Sequence, residues 1–218
     1  MRISFLHTVP SNQRIFETAV QDFGLPPANC RHELRADLRE AVERAGTITA
    51  GLQTQIADCL HSLASDADAV VLTCAMLGPA VAKLGASPAP VLRADLALAA
   101  AAVENGTRIV VLCAAESALE SNRKLFGEYA SHRHASVAVV HLPQVWDLFK
   151  AGDFDACHAA IATAAHDAYR DGADAVAFAH PWMAPAVQRF DASKRPLDSA
   201  HAVIGAVMKL LAETPASK

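Results

Sequence analysis

One segment of the chain occurs twice, and the two occurrences are 106 residues apart. Residues 67–81 and 173–187 both begin with Ala-Asp-Ala-Val and both end with Pro-Ala-Val. Each reads as a buried strand that runs into a loop and then into the start of a helix. The same offset, without a gap, aligns residues 2–8 with residues 108–114. Because one fixed offset relates two separated segments, the sequence predicts a duplicated structural unit.

Histidine and cysteine exchange places between the two copies. Cys74 aligns with His180, and His7 aligns with Cys113. All four residues follow predicted strands, and ligands of open parallel sheets bind outside the carboxyl ends of the strands. If the two copies face one another, we expect these residues to line one active-site cleft between two domains.

Strand segments alternate with helical segments in each half of the chain. The predicted strands are 3–6, 29–34, a segment that begins at 67, 91–92, 108–112, 136–141 and a segment around 175. The predicted helices are 14–23, 36–45, 47–63, 95–104, 119–129, 154–170 and 199–211. The segment that contains Pro143 and Trp146 is predicted as a loop.

This alternation predicts the α/β fold class, with parallel sheets that helices cover on both faces. We expect two pseudosymmetric, flavodoxin-like domains, residues 1–104 and residues 105–218. The C-terminal helix, 199–213, is expected to pack across onto the first domain.

The composition argues against several classes of function. With 218 residues, of which 52% are hydrophobic, the chain can bury one large core or two small ones. The formal net charge of −4 and the absence of any run of Lys or Arg argue against nucleic acid or an anionic membrane as a partner. No apolar run reaches the ~18 residues of a membrane helix, and the N-terminus lacks a signal-peptide pattern, so we expect a cytoplasmic protein.

Cysteine spacing and glycine motifs bear on disulfides and cofactors. The five cysteines are irregularly spaced and form no CxxC pair, so free thiols are expected rather than a disulfide framework. The sequence contains neither GxGxxG nor the GxxxxGK motif, both typical of nucleotide binding. We therefore expect no nucleotide cofactor.

Two motifs carry a resemblance to a known family. Residues 73–78 read Thr-Cys-Ala-Met-Leu-Gly, and residues 179–183 read Ala-His-Pro-Trp-Met. In these motifs and in its duplication, nearly the whole chain resembles the aspartate/glutamate/hydantoin racemase superfamily, which also includes arylmalonate decarboxylase and maleate isomerase. That family carries a catalytic cysteine after a strand in each of two domains. Cys74 looks like the first of these cysteines, whereas His180 stands in the place of the second.

The resemblance also implies residues that contact a substrate. The family binds carboxylates with polar loops at the strand ends, although its usual Thr after the fifth strand is here Ala114 or Ala115. The expected substrate-binding residues are Thr8, Ser11, Asn12, Thr73, Ala75, Ser117 and Pro181. Four further residues are candidates for lining the cleft: His7, Cys113, His141 and Arg93. For Arg93 the alternatives are a bond to a substrate carboxylate and a role at the start of the next helix.

Cys74 and His180 are the candidate catalytic residues. A cysteine among apolar neighbours is often simply buried, and a histidine is often a hydrogen-bonded structural residue. The resemblance favours catalysis for Cys74, and imidazole can replace a thiol as an acid or base near neutral pH. To act as a base, Cys74 needs backbone N–H groups or an imidazolium, for which His180 is the candidate. Pro181 favours an extended conformation for His180.

The resemblance implies a cofactor-independent racemase or isomerase that moves a proton at the carbon next to a carboxylate. Cys74 and His180 are expected to act as acid and base on opposite faces of a small carboxylate-bearing substrate. Decarboxylation of a malonate-type acid with one cysteine proton donor is an alternative, and so is a non-catalytic binder of small acids. Two histidines and two cysteines also suit zinc, but they share no local ligand spacing, and no metal is expected. The sequence does not decide whether the chain forms a homo-oligomer.

Overall fold

The computed structural model describes residues 1–191 and 194–213. It contains two compact units. Of the described residues, the first unit comprises 1–97 and 203–213, and the second comprises 98–191 and 194–202. Both boundaries fall inside helices.

The elements of the first half are β1 (Ile3–His7), α1 (Asn12–Asp22), β2 (Cys30–Leu34), α2 (Ala36–Ala45), α3 (Ala50–Ala64), β3 (Ala69–Leu72), α4 (Gly78–Val81), β4 (Val91–Arg93) and α5 (Ala94–Asn105). Those of the second half are β5 (Arg108–Cys113), α6 (Leu119–Ser131), β6 (Ser136–His141), α7 (Pro143–Ala151), α8 (Phe154–Arg170), β7 (Ala175–Phe178), β8 (Leu197–Asp198) and α9 (Ser199–Glu213). In the described part of the chain, 3-10 turns occupy Pro27–Asn29, Ala75–Leu77, Glu116–Ala118 and Pro181–Arg189.

Each unit is built on a four-stranded parallel sheet. The strand orders are β2-β1-β3-β4 and β6-β5-β7-β8, so the two sheets have the same topology. Every residue of β3 and of β7 is buried, as expected for central parallel strands between layers of helices. The prediction of an α/β fold with two parallel sheets is therefore confirmed.

The central strand pairs keep the 106-residue offset of the sequence repeat. Ile3 lies opposite Ala69 in the first sheet, and Ile109 lies opposite Ala175 in the second. The strands that carry the two motifs therefore coincide in register, as predicted.

The edge strands depart from that offset by one residue. Ile3 lies opposite Cys30, whereas its counterpart Ile109 lies opposite Val137 rather than Ser136. For these strands the predicted register is wrong, because an edge strand has one neighbour only and can slip along it.

The helices follow the apolar spacing of the sequence. In α3, Ile56, Leu60 and Leu63 are fully buried and pack in the core of the first unit. Each such side chain contributes about 1.5–3 kcal/mol of hydrophobic stabilisation. Thr49 caps this helix by accepting a hydrogen bond from the amide of Leu52, which places the helix start three residues after the predicted one.

Helix α7 corrects the prediction of a loop around Pro143 and Trp146. Pro143 stands at the start of the helix, where the missing N–H has no intrahelical partner to lose. Gly152 follows the helix with φ 76°, a left-handed conformation that glycine adopts freely. Proline and glycine thus delimit a helix here, whereas the prediction treated the proline as a helix breaker. In the described part of the chain, no helix is both long and apolar enough to cross a membrane.

Candidate functional site

Cys74 lies directly after β3, at the carboxyl end of the first sheet. Its backbone is extended (φ −108°, ψ 112°), and a 3-10 turn over Ala75–Leu77 follows it. The side chain is half-buried and packs against the apolar core of the first unit. Ala75, the next predicted substrate contact, is exposed.

Next to it, Thr73 fixes the protonation of His7. The Thr73 hydroxyl donates to the carbonyl of Leu6 at 3.1 Å, so its oxygen accepts a hydrogen bond from Nδ1 of His7 at 3.0 Å. Nε2 of His7 then accepts from Nδ1 of His32 at 2.9 Å. Burial, and secondarily His32, lowers the pKa of His7 to about 3, so this ring is neutral at physiological pH. His7 is thus a buried member of a hydrogen-bond chain.

His32 takes part in this series of hydrogen bonds and was not among the site residues predicted from the sequence. Its Nε2 is buried without a hydrogen-bond partner and lies 3.8 Å from a carboxylate oxygen of Glu17. Burial lowers the pKa of His32, and Glu17 opposes this shift. The adjacent strands β1 and β2 could have indicated the contact, because His7 lies opposite Leu34 and His32 precedes Leu34 on the same face.

The segment from the end of β1 to the first residue of α1 contains a buried oxygen without a partner. Thr8 and Asn12 are almost fully buried, at 2% and 3% exposure, while Ser11 is exposed. Oδ1 of Asn12 accepts no hydrogen bond from any described residue. An unsatisfied buried acceptor is costly, so this segment suits a ligand that brings an N–H donor.

Arg93 is already paired. Its guanidinium forms two hydrogen bonds with the carboxylate of Asp95, one of them from Nε to Oδ1 at 3.0 Å. It also lies directly against Gly78, the first residue of α4, where a Cβ would overlap the guanidinium. Of the two alternatives for Arg93, the described contacts support the role at the start of α5.

His180 holds the position of Cys74 in the second unit, directly after β7. Its backbone is extended (φ −114°, ψ 134°), as Pro181 predicts. The ring nitrogen Nε2 accepts hydrogen bonds from two backbone amides, Ala114 at 3.1 Å and Ala115 at 3.2 Å. The ring proton must therefore be on Nδ1.

Burial lowers the pKa of His180 to about 4. Protonation would also place a second N–H against the two amides that now donate to Nε2. His180 is therefore neutral at physiological pH in the free protein, and an imidazolium that stabilises a thiolate at Cys74 stays a prediction.

Cys113 contacts His180 without forming an ion pair. Its Sγ lies 3.6 Å from Nε2 of His180, and the thiol donates to the carbonyl of Ala115 at 3.4 Å. Burial raises the pKa of Cys113 to about 11, which keeps it a thiol. The amide of Asn122 approaches the sulfur at 3.9 Å.

An aromatic stack supports the His180 ring. The ring of Trp182 lies parallel to it, with centroids 5.3 Å apart and an angle of 2° between the planes. Phe149 in turn stacks on Trp182, with the ring centroids 4.1 Å apart. The 106-residue offset places Met76 and Glu43 at the corresponding positions of the first unit, so the stack belongs to the second unit alone. The sequence contains this difference between the copies, but the stack was not predicted from it.

The remaining predicted residues lie around the same strand ends. Ser117 is exposed in the 3-10 turn before α6, Pro181 is half-buried beside His180, and His141 is half-buried at the end of β6. Within residues 1–191 and 194–213, no group of three or more His, Cys, Asp or Glu side chains could hold a metal ion.

The sequence matches no protein-family model and no curated protein. Solved structures, in contrast, resemble nearly the whole chain. An aspartate racemase homologue from Pyrococcus horikoshii OT3 gives a TM-score of 0.69 at 12% identity, over 97% of this chain and 99% of the homologue. Allantoin racemase from Klebsiella pneumoniae gives 0.69 at 19% identity, over 97% and 88%. Aspartate racemase from Picrophilus torridus gives 0.68 at 15% identity, over 97% and 94%.

The chain has the fold of these racemases. The resemblance to the aspartate/glutamate/hydantoin racemase superfamily is thereby confirmed at the level of the fold. In this racemase fold, Cys74 and His180 follow β3 and β7, the strands with the same place in the two sheets.

Proposed function

We propose that the chain is a cofactor-independent racemase or isomerase that moves a proton at the carbon next to a carboxylate. The observation that carries this proposal is the equivalence of Cys74 and His180. Each follows the same strand of its unit in a racemase fold, and each is an acid or base by its chemistry. The two solved enzymes named as aspartate and allantoin racemases support the reaction class.

In this proposal the resting protein holds Cys74 as a thiol and His180 as a neutral imidazole. His180 takes the proton from the α-carbon, and the electron pair of the broken C–H bond stays on the substrate as an enolate. The Cys74 thiol then donates its proton to the opposite face of the same carbon. The resulting thiolate and imidazolium either serve the reverse reaction or return to the resting form by proton exchange with water.

Asn12, at the start of α1, supports a substrate that carries nitrogen as well as a carboxyl group. The buried Oδ1 of Asn12 has no partner among the described residues. A substrate N–H group would satisfy it, because a buried carbonyl oxygen gains most from the donor that it lacks. We therefore propose amino acids or their ureido and hydantoin derivatives as the first substrates to examine.

A second candidate function is decarboxylation of a substituted malonate. The observation that favours it is the engagement of Nε2 of His180 by two backbone amides, which leaves Cys74 as the side chain free to carry a proton. In that reaction the bond from the α-carbon to one carboxylate breaks, and carbon dioxide leaves. The electron pair stays on the α-carbon and takes the proton of the Cys74 thiol.

Proton NMR in deuterium oxide distinguishes these functions. The purified chain is incubated with single enantiomers of amino acids and hydantoins and with substituted malonates. With the unmodified chain we expect stereoinversion with deuterium incorporation. In Cys74→Ala and in His180→Ala the rate of stereoinversion should fall about 100-fold or more. Each variant should spare exchange on one face of the substrate. Cys30→Ala, which changes a half-buried cysteine on β2, is the matched control and should behave like the unmodified chain.

Other outcomes identify the alternatives. Release of carbon dioxide from malonates with full activity in His180→Ala establishes the decarboxylase. Binding of small acids without turnover establishes a non-catalytic binder. Turnover that neither substitution changes overturns the assignment of both residues.

A further inference from the structure

Two backbone amides of the second unit point at one atom. The N–H groups of Ala114 and Ala115 lie 3.1 Å and 3.2 Å from Nε2 of His180. Adjacent amides that converge on one acceptor are the arrangement that proteins use to bind carboxylates and oxyanions. Here a side chain of the protein itself occupies the position of the anion.

A carboxylate is the stronger acceptor for such a pair. Hydrogen bonds to an ionised acceptor are shorter and roughly twice as strong as bonds between neutral groups. The neighbouring thiol of Cys113 does not compete for the amides, because it donates to the carbonyl of Ala115. An anion that reaches the two amides therefore replaces His180 with a gain in hydrogen-bond energy.

The first unit provides the contrast. The 106-residue offset places Thr8 and Val9 at the positions of Ala114 and Ala115, and Cys74 at that of His180. Among the described residues, no side chain accepts a hydrogen bond from the amide of Thr8 or Val9. The equivalent amide pair is therefore not occupied by a side chain in the first unit, whereas it is occupied in the second.

We propose that the Ala114 and Ala115 amides form a carboxylate subsite that His180 occupies in the free protein. A substrate carboxylate takes over both hydrogen bonds, and the displacement releases the lone pair of Nε2. Two N–H···N bonds are exchanged for two N–H···O bonds, and no covalent bond changes. This inference rests on the proposed function, in which Nε2 is the base. It adds that the base becomes available only when a carboxylate is bound.

The released ring keeps a support. Trp182 stacks on the face of the ring and not on its nitrogen atoms, so a change of hydrogen-bond partner at Nε2 leaves the stacking surface in place.

The test uses the full-length 15N-labelled chain and acetate as the probe anion. Acetate should shift the amide resonances of Ala114 and Ala115, and it should move the Nε2 resonance of His180 towards the value of an imidazole nitrogen without donors. In His180→Ala and in His180→Phe the amides lose their internal acceptor, so acetate should bind about tenfold more tightly than in the unmodified chain. His180→Phe keeps a ring for Trp182 and guards against a folding defect in the alanine variant.

His132→Ala, which changes an exposed histidine of the same unit, is the control and should bind acetate like the unmodified chain. Acetate that leaves the Ala114 and Ala115 amides unshifted, or that binds no more tightly to either His180 variant, overturns the subsite. Binding is measured without turnover. A chain that shows the expected shifts but exchanges no substrate proton therefore contradicts the proposed function and not the subsite.

Discussion

Nε2 of His7 and Nδ1 of His32 share a hydrogen bond of 2.9 Å inside the first unit. Because the Thr73 hydroxyl donates to the carbonyl of Leu6, all donors of this chain point the same way, from His32 towards the end of β1. Protonation of His7 at Nε2 would place its new N–H against the N–H of His32 and so break this series of hydrogen bonds. The burial of His7 also disfavours the charge.

The first prediction follows from this pair and concerns stability against pH. The pKa of His7 falls from 6.5 to about 3 on folding. Between these values the unfolded chain binds one more proton, so stability is full above pH 6.5 and falls with decreasing pH by about 1.4 kcal/mol per unit. His180, whose pKa falls to about 4, adds a second contribution of the same sign. Urea unfolding at pH 7, 6 and 5 measures the slope.

His7→Gln should be less stable at pH 7 and yet show a flatter slope by about one proton. His132→Gln, at an exposed position, should leave the slope unchanged. Parallel slopes for the unmodified chain and His7→Gln would show that His7 does not carry the proton.

The second prediction concerns thiol reactivity. Burial raises the pKa of the other four cysteines, to about 12 for Cys59 and about 11 for Cys113, and also upwards for Cys30 and Cys157. Cys74 is half-buried at a strand end. Limiting iodoacetamide near neutral pH should label Cys74 first, and a small dicarboxylate should slow that labelling. Peptide mass spectrometry reads the order, and faster labelling of Cys59 or Cys113 contradicts the prediction.

The third prediction concerns Gly78 and Arg93. A Cβ at Gly78 overlaps the Arg93 guanidinium, which Asp95 holds in place. Gly78→Ala should therefore destabilise the protein by about 1–3 kcal/mol. In an Arg93→Ala background the same change should be neutral or stabilising, because the overlap is gone and alanine favours the helical conformation of α4. Urea unfolding of the four proteins closes the cycle.

Gly51→Ala is the control for this cycle, since a Cβ at Gly51 meets no atom within 4 Å and the residue lies in α3. It should stabilise both backgrounds equally. Independent effects of the Gly78 and Arg93 substitutions would mean that the two residues are not in contact in solution.

The fourth prediction concerns the aromatic stack. Trp182 is 7% exposed and contacts both His180 and Phe149. Trp182→Ala should cost about 3–5 kcal/mol, whereas Trp182→Phe should cost less because an aromatic face remains. Met76→Ala changes the equivalent position of the first unit, which is 38% exposed, and should alter stability by no more than about 0.5 kcal/mol. Equal effects at the two positions would contradict the asymmetry of the units.

Much of the fold was accessible from the sequence because the repeat and the apolar spacing report on burial. The central strands and α3 were found in this way, since their apolar residues face a core whatever the rest of the chain does. Helix α7 was missed because a proline was taken as a break, although it occupies the one helical turn that tolerates it.

The positions of Cys74 and His180 were predictable, but the state of His180 was not. Its protonation depends on the amides of Ala114 and Ala115, which are distant in sequence and carry no side-chain signal. The same holds for His32, whose role depends on a hydrogen bond between neighbouring strands. Local patterns report which residues are buried, whereas tautomers depend on partners that only the tertiary structure brings together.

The one-residue slips of the two edge strands have opposite signs. Strand β6 is shifted by one residue along β5 compared with β2 along β1, because Ile3 pairs with Cys30 but Ile109 pairs with Val137. Strand β8 is shifted by one residue in the opposite direction, because Leu92 pairs with Val71 in the first unit whereas Leu197 pairs with Ala177 in the second. Loops that lead to an edge strand thus accept insertions and deletions, while the distance from β1 to β3 does not change. For protein engineering, the turn at residues 24–29 is the place to graft a tag or a sensor domain without moving Cys74 out of line with the first strand.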